Sequence, residues 1–340
     1  MIIFIKEIPS IDALTNTQEE ALERILWAHG RGSQVVWMAI ELARKLEDKT
    51  CFSKYAKRAL SDLKSSSTFT KTLLESEFSF RVVVDFVNRH RMDQHGDELI
   101  VGYERILDDN FLLAPVLLAE NEIDAKVYEK FSLAIFSARK NLNRQYVLQI
   151  DPQGGGGPDI VKKYIRYVGE RRPFICLVDS DKKHPKGSYG GTCQHFNPYP
   201  KGLTKGHYLR VIESHEIENL VPEGLVKHLY PKIDQGILYS ESRYRSYRRY
   251  PDHKNGFTVA DAKKQDVYYK DNFWQPFYHY NSGTLICGKF GKLLENTYDF
   301  LEQNSAKKVL EFLDSEIDVE LHHIASVVTS WGLKLKRTLS

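Results

Sequence analysis

The sequence predicts an α/β protein. A parallel sheet with flanking helices occupies the middle of the chain, behind a helical N-terminal region and ahead of a mixed α+β C-terminal extension. Three observations carry this reading. Early apolar positions fall at helix spacing, as at Leu22, Ile25 and Leu26 and again at Tyr55, Ala59 and Leu63. Between about 112 and 222, short apolar runs alternate with amphipathic stretches, the pattern of parallel strands and covering helices. Two of those runs break into acid at their ends. Leu117-Leu118-Ala119 leads into Glu120-Asn121-Glu122-Ile123-Asp124, and Phe174-Ile175-Cys176-Leu177-Val178 leads into Asp179-Ser180-Asp181.

Taken in order, residues 1–110 read as helical. Val36, Ile40 and Ala43 keep one face, and Ser65-Ser66-Ser67 marks a break. No acids, cysteines or histidines cluster there, which makes the region a scaffold or a dock for a partner. Residues 111–225 form the core. Residues 115–119 read as a strand, and 124–138 as a helix with Val127, Phe131, Ala134 and Ile135 on one face. Residues 146–150 read as a second strand. Gly154 to Gly157 form a tight loop, Pro158 sits in the first turn of the helix that follows, and that helix runs to about Val168. Strands over 173–178 and 205–212 complete the sheet. Residues 226–340 begin with an aromatic and basic stretch over 239–257 and a second aromatic stretch over 268–280. They return to helix over 293–301, 306–313 and 319–328.

Composition narrows the function classes. The 340 residues are 42% hydrophobic and 27% charged, and the formal net charge of +3 gives no whole-chain argument for nucleic acid, so local charge must make it. The four cysteines, Cys51, Cys176, Cys193 and Cys287, are far apart and form no CxxC pair. That excludes a zinc ribbon and a disulfide framework. Met1-Ile2-Ile3-Phe4-Ile5 is too short for a signal peptide, and no stretch approaches the roughly 20 apolar residues of a membrane span. A cytoplasmic location is the expectation. The glycine run lacks GK[ST], so the chain shows no nucleotide-hydrolysing loop of its own.

Acids at the carboxyl end of a strand stand where open α/β sheets bind ligands. Two carboxylates at one strand end repel each other unless a cation neutralises them, and ligands that are all oxygen suit Mg²⁺ or Mn²⁺ rather than zinc. A lone DxD carries little information, because Asp179 and Asp181 fit equally well as caps or turn residues. The matching acid turn about sixty residues upstream, in strand-helix-strand-helix-strand order, is what points to a metal site.

The Glu120 turn, the glycine-rich loop and Asp179-Ser180-Asp181 together resemble a TOPRIM domain, the metal-binding α/β domain of topoisomerases, bacterial primases and OLD-family nucleases. The resemblance covers roughly 112–222. Arg210-Val211-Ile212-Glu213-Ser214-His215-Glu216-Ile217-Glu218-Asn219-Leu220 looks like the EIEN segment of the OLD-like members, and Lys254 within Asp252-His253-Lys254-Asn255-Gly256 stands in a comparable downstream turn. One departure is Asn121, where the family commonly has Gly; Asn tolerates a left-handed backbone better than most residues.

The resemblance implies a Rossmann-like TOPRIM core and a two-metal nuclease. Glu120, Asp124 and Asp179 would hold one Mg²⁺ or Mn²⁺, and Asp181 and Glu216 would hold or approach a second. Glu218 and then Glu213 are the next ligand candidates. One ion would activate water and the other stabilise the leaving oxygen. Lys254 would stabilise charge on the phosphate. Glu120, Asp179, Asp181 and Lys254 are thus the expected catalytic set. By the same resemblance the chain is an effector of bacterial anti-phage defence with a separate ATPase partner docked on the N-terminal region; a homo-oligomer is allowed for.

Nucleic acid, DNA or RNA, is the expected partner. Arg243, Arg245, Arg248 and Arg249 interleave with Tyr244 and Tyr247, so the arginines can hold phosphates and the tyrosines stack on unpaired bases. Lys182 and Lys183 add positive charge after the DSD motif. The alternatives are a DxD-type nucleotide-sugar transferase, in which the Glu120 turn and EIEN segment have no role, and a non-catalytic nucleic-acid or protein binding module whose acids are structural.

Overall fold

The computed structural model describes residues 1–336, and its first feature corrects the expected helical N-terminal region. Residues 1–110 are themselves α/β. Strands β1 (Ile2–Ile5), β2 (Val35–Met38), β3 (Arg81–Asp85), β4 (Met92–His95) and β5 (Glu98–Gly102) form one sheet in the order β2-β1-β3-β5-β4, in which only β4 runs antiparallel. The expected helices exist as α1 (Asn16–Gly30), α2 (Ile40–Glu47) and α3 (Lys54–Glu77). The strands were hidden because β1 and β2 are four-residue apolar runs buried on both faces, so neither shows alternation. Val36 belongs to β2 and Ile40 and Ala43 to α2, so their shared helix spacing runs across a strand–helix junction. The serine triplet does not break α3. Ser65 and Ser66 hydroxyls bond back to the Asp62 carbonyl, and Ser67 bonds the Met38 carbonyl at 2.6 Å.

The second sheet is the expected one with two changes, a different second strand and an added antiparallel edge strand. Its strands are β6 (Val116–Ala119), β8 (Asp151–Gly154), β9 (Phe174–Val178), β10 (Gly202–Thr204) and β11 (His207–Val211), in the order β10-β11-β9-β6-β8, parallel except for β10. The expected second strand over 146–150 contributes only β7 (Tyr146–Leu148). It pairs antiparallel with β14 (Leu333–Leu335) in a separate two-stranded sheet. The true neighbour of β6 is Asp151-Pro152-Gln153-Gly154, whose polar, Pro- and Gly-containing composition reads as turn; as an edge strand it tolerates the proline.

Alternation along the central strands fixes the layers. Leu117, Ala119, Ile175 and Leu177 face α4 (Glu122–Ser137), while Val116, Leu118, Phe174, Cys176 and Val178 face α5 (Ile160–Gly169). The chain runs from β6 over α4 to β8 on one side, then back over α5 past β6 to β9 on the other, so the sheet is doubly wound with its switch point between β6 and β9. The C-terminal part adds the antiparallel pair β12 (Phe257–Thr258) and β13 (Leu285–Cys287), and helices α6 (Leu293–Gln303) and α7 (Val319–Gly332), both packed on α4. No helix among the described residues is long and apolar enough to cross a membrane.

Candidate functional site

Glu120 is the first residue past β6 and Asp179 the first past β9. These strands are hydrogen-bonded parallel neighbours, so both acids emerge at one sheet edge, at the switch point. The turn after β6 becomes α4 at once. Asn121 is its N-cap, and the Asp124 carboxylate accepts from the Asn121 backbone N–H at 2.8 Å, closing a capping box. Asn121 has φ −121°, so the left-handed turn expected from its Gly-like position does not occur. Asp124 is consequently buried and held against the strand end.

The glycine loop supports this turn. The N–H groups of Gly156 and Gly157 both donate to the Glu120 carbonyl, at 3.0 and 3.1 Å. A Cβ on Gly154 would collide with the backbone N of Glu122, and one on Gly155 with Ile160. The loop is therefore a close backbone packing device, as its missing GK[ST] indicates.

On the β9 side the ladder continues beyond the strands. Ser180 Oγ donates to the Ser214 carbonyl at 2.6 Å, and the Asp181 N–H to the His215 carbonyl at 2.9 Å. These bonds draw the segment carrying Glu216 and Glu218 alongside the DSD turn. Asp181 itself has φ +55°, and Gly190 lies so close that a Cβ there would strike the Asp181 carboxylate. From the far side, Asn219 donates to the carbonyls of Arg248 and Pro251 at 2.7 and 2.9 Å, which anchors the turn bearing Lys254. Glu320 of α7 accepts from the Glu213 N–H and from Ser214 Oγ, so the C-terminal extension also holds this segment.

The electrostatics show which acids share the site. Burial pushes the Glu120 carboxyl up to about 7, and the charges of Asp181 and Asp124 push the same way, against a backbone hydrogen bond from Asp179. Burial raises Asp179 well above the usual carboxylate range, with Asp124, Glu120, Glu218 and Glu216 adding to it. Burial also raises Asp124, Asp181 and Glu218, the last to about 7. One ammonium sits among them: Lys254 Nζ is 3.0 Å from a carboxylate oxygen of Glu216 and 3.0 Å from one of Glu218. Burial opposes the Lys254 charge, but these two acids hold it well above the ordinary lysine value. One oxygen each of Glu120 and Glu218 is buried without a hydrogen-bond partner.

Six carboxylates thus influence one another at this edge, two of them paired with Lys254. Their donor chemistry fits a hard divalent cation, with Glu120, Asp124, Asp179, Asp181, Glu216 and Glu218 as the available oxygens. The side chains are not set as a finished cage: among the described residues no three His, Cys, Asp or Glu side chains already surround a common point. Glu213 stands apart, exposed and paired with Arg249 at 2.7 Å, which removes it from the ligand candidates.

The aromatic and basic stretch requires the largest correction. It folds as a 3₁₀ segment, Ser242–Arg249, with Tyr244 and Arg248 buried. Tyr244 packs on Phe277, Tyr247 packs on Phe273, Trp274 and Phe277, and Arg248 donates to the Val221 carbonyl at 2.7 Å. Arg243, Arg245 and Arg249 pair with Glu241, Glu223 and Glu213. Tyr244 and Arg248 are therefore core, and Tyr247 is half-buried with its ring packed on the core, so the run is not an open stacking surface; a one-dimensional run of cations and rings does not reveal the rings and acids that arrive from other segments. Lys183 lies near enough to act on Asp181, and Lys182 rests over the Tyr189 ring.

No family model matches the chain, and no curated protein or solved structure matches it.

Two site neighbours escape the sequence pattern. His215 is buried with neither ring nitrogen bonded, its Nε2 3.8 Å from Glu216. The Tyr128 hydroxyl is buried and unpartnered; burial raises it, and the charges of Asp179 and Asp124 add to this. Tyr128 lies four residues after Asp124 on one helix face, a spacing that was available as a signal.

Proposed function

We propose that the chain is a Mg²⁺- or Mn²⁺-dependent nuclease of the TOPRIM kind, cutting nucleic-acid phosphodiesters. The observation that carries the reading is the set of six carboxylates at the switch point of a doubly wound sheet, two of them paired with Lys254. Such excess negative charge, partly buried, favours a bound cation over an unliganded site. Glu120, Asp124 and Asp179 would hold one ion, with Asp181, Glu216 and Glu218 available to a second. The bound ions would supply an activated water and a counter-charge for the leaving oxygen. Lys254, freed from part of its pairing with Glu216 and Glu218, is placed to offset charge on a phosphate oxygen.

A second reading has its own support. The Lys254 pairs neutralise part of the cluster without any metal, and the acids form no finished cage. In that case the edge is structural and the chain is a binding module. Calorimetric titration with Mn²⁺, and cleavage assays on plasmid, single-stranded DNA and RNA, separate the two. Tight Mn²⁺ binding and metal-dependent cleavage, both lost in Asp179→Asn, support the nuclease; wild-type protein that neither binds Mn²⁺ nor cuts refutes it. A defence role with a separate ATPase partner rests on the resemblance alone. Loss of phage protection in cells carrying Asp179→Asn is its test.

A further inference from the structure

We propose that a second site, at the carboxyl ends of β3 and β5, binds a small ligand carrying at least two linked phosphate groups. A cavity of about 430 Å³ opens there, within the range of small-molecule sites. One wall is the loop after β3 and the segment after β5; the other is the turn after α5 and the β10–β11 hairpin. Six permanent cations line it, Arg89, Arg91, Arg105, Arg171, Arg172 and Lys205, against the two acids Glu104 and Asp108. None of these residues belongs to the acidic cluster.

Four of the arginines are fixed in place by acids: Arg89 on Glu104 at 2.6 Å, Arg91 on Asp85 at 2.9 Å, Arg105 on Asp108 at 3.0 Å and Arg172 on Asp151 at 2.8 Å. Held this way, guanidinium forks are preorganised donors for phosphate, and the Nε atoms of Arg105 and Arg172 are buried without a partner. The other two cations, Arg171 and Lys205, have no ion-pair partner among the described residues. Arg105 feels its neighbour: burial depresses its guanidinium, Asp108 opposes this, and the charge of Arg171 adds to the depression. An anion between such groups relieves the repulsion.

The backbone at these two positions is the independent observation. Arg171 has φ +56° and ends α5 in a turn where the Arg172 N–H returns to the Tyr167 carbonyl, the place usually taken by Gly. Lys205 has φ +43° and, with Gly206, forms the two-residue turn between the paired residues Thr204 and His207, where Asn-Gly is preferred. At both places a long cation stands where the turn alone favours Gly or Asn, and both cations line the same cavity. Local folding does not call for them there; a ligand does. Arginine forks select phosphate over a simple halide, and two free cations on separate elements suit a diphosphate better than a single phosphate.

The test uses full-length protein in EDTA, so that the acidic edge is not involved. Pyrophosphate, ADP and sulfate are titrated calorimetrically at constant ionic strength. Pyrophosphate is expected to bind at least tenfold tighter than sulfate. ADP binding tighter than pyrophosphate marks a nucleotide site, and weaker marks a site for free polyphosphate; both support the proposal. The variant Arg171→Gly/Lys205→Asn relaxes both turns, so its unliganded melting temperature should stay the same or rise while pyrophosphate affinity falls at least tenfold. Absence of wild-type pyrophosphate binding at millimolar concentration overturns the proposal, as does unchanged affinity in the folded variant. A single-stranded oligonucleotide that displaces pyrophosphate and loses its own binding in the variant also overturns it, and marks a nucleic-acid surface instead.

Discussion

The two parallel sheets carry opposite charge at their carboxyl edges. Asp85 ends β3, and Glu120 follows β6 directly. Burial pushes both carboxyls up. At Asp85 that push is overcome: Asn88, Arg91 and the Val87 N–H all donate, and the acid is held down at about 2. At Glu120 other acids add to the burial, one oxygen has no partner, and the group rises to about 7. The same architecture thus produces a satisfied, structural carboxylate in one place and an unsatisfied one in the other. The difference is why the proposed cation is placed at the edge after β6 and β9 and not at Asp85.

The largest expected effect breaks the comparison at the acidic edge. Asp179→Asn should abolish metal-dependent cleavage, by about 10³-fold or more. It should leave the fold intact and raise the melting temperature of the metal-free protein by about 1–2 °C, the equivalent of about 1 kcal/mol of relieved repulsion in a chain of this size. Asp85→Asn should do the reverse, with activity retained and stability lowered by about 1–2 kcal/mol as charged hydrogen bonds weaken. Equal loss of stability in both variants, read by thermal unfolding, would mark Asp179 as structural.

Metal should sharpen the contrast next. A divalent ion at 100 times its dissociation constant stabilises the folded state by about 2.7 kcal/mol. Mn²⁺ should therefore raise the melting temperature of wild type and of Asp85→Asn, and leave Glu120→Gln/Asp179→Asn unmoved. A shift that survives in the double variant places the ion elsewhere.

Proton linkage gives the two edges separate pH windows. Glu120 is raised in the folded state, from an unfolded value near 4.5 to about 7, so the folded protein binds more protons across that interval. Its contribution to stability is present below about 4.5 and is lost as pH rises to about 7. Asp85 is depressed, so its contribution is present above about 4 and is lost as pH falls toward 2. In metal-free protein, Glu120→Gln should flatten the neutral limb of the stability–pH curve and Asp85→Asn the acid limb. Exchange of those effects would refute the assignment.

The acidic edge was legible in sequence because its signal is local: an apolar run, a break and acids, repeated in the order that a doubly wound sheet requires. Glu216, Glu218 and Lys254 were reachable only by resemblance. The cationic edge was not legible. It needed the strands β1 to β5, of which β1 and β2 are short runs buried throughout and carry no alternation, and it joins residues 89 to 105 with residues 171 to 207. The opposite failure occurred at Tyr244, Tyr247 and Arg248. A conspicuous local pattern suggested a surface, but Phe273, Trp274 and Phe277, some thirty residues away in sequence, cover it.

The smallest expected effect concerns what remains of that stretch as a nucleic-acid contact. Arg243 and Arg249 keep exposed side chains, 63% and 47% accessible, but each is already paired, with Glu241 and Glu213. An exposed pair of this kind is worth about 1 kcal/mol or less, so either arginine can trade its acid for a phosphate at small cost. Each phosphate contact contributes roughly 0.7 to 0.9 to the slope of log affinity against log salt. Arg243→Ala/Arg249→Ala should therefore reduce the slope by at most about 1.4 to 1.8, with Mn²⁺ binding unchanged because neither residue supplies an oxygen. Arg248→Ala belongs to a different class: it removes a buried donor from the Val221 carbonyl and should cost stability rather than affinity. Single-stranded and duplex substrates should lose affinity equally in the double variant, since Tyr244 is buried and the Tyr247 ring is packed on Phe273, Trp274 and Phe277. A larger loss for single strands would show that Tyr244 or Tyr247 leaves the core on binding.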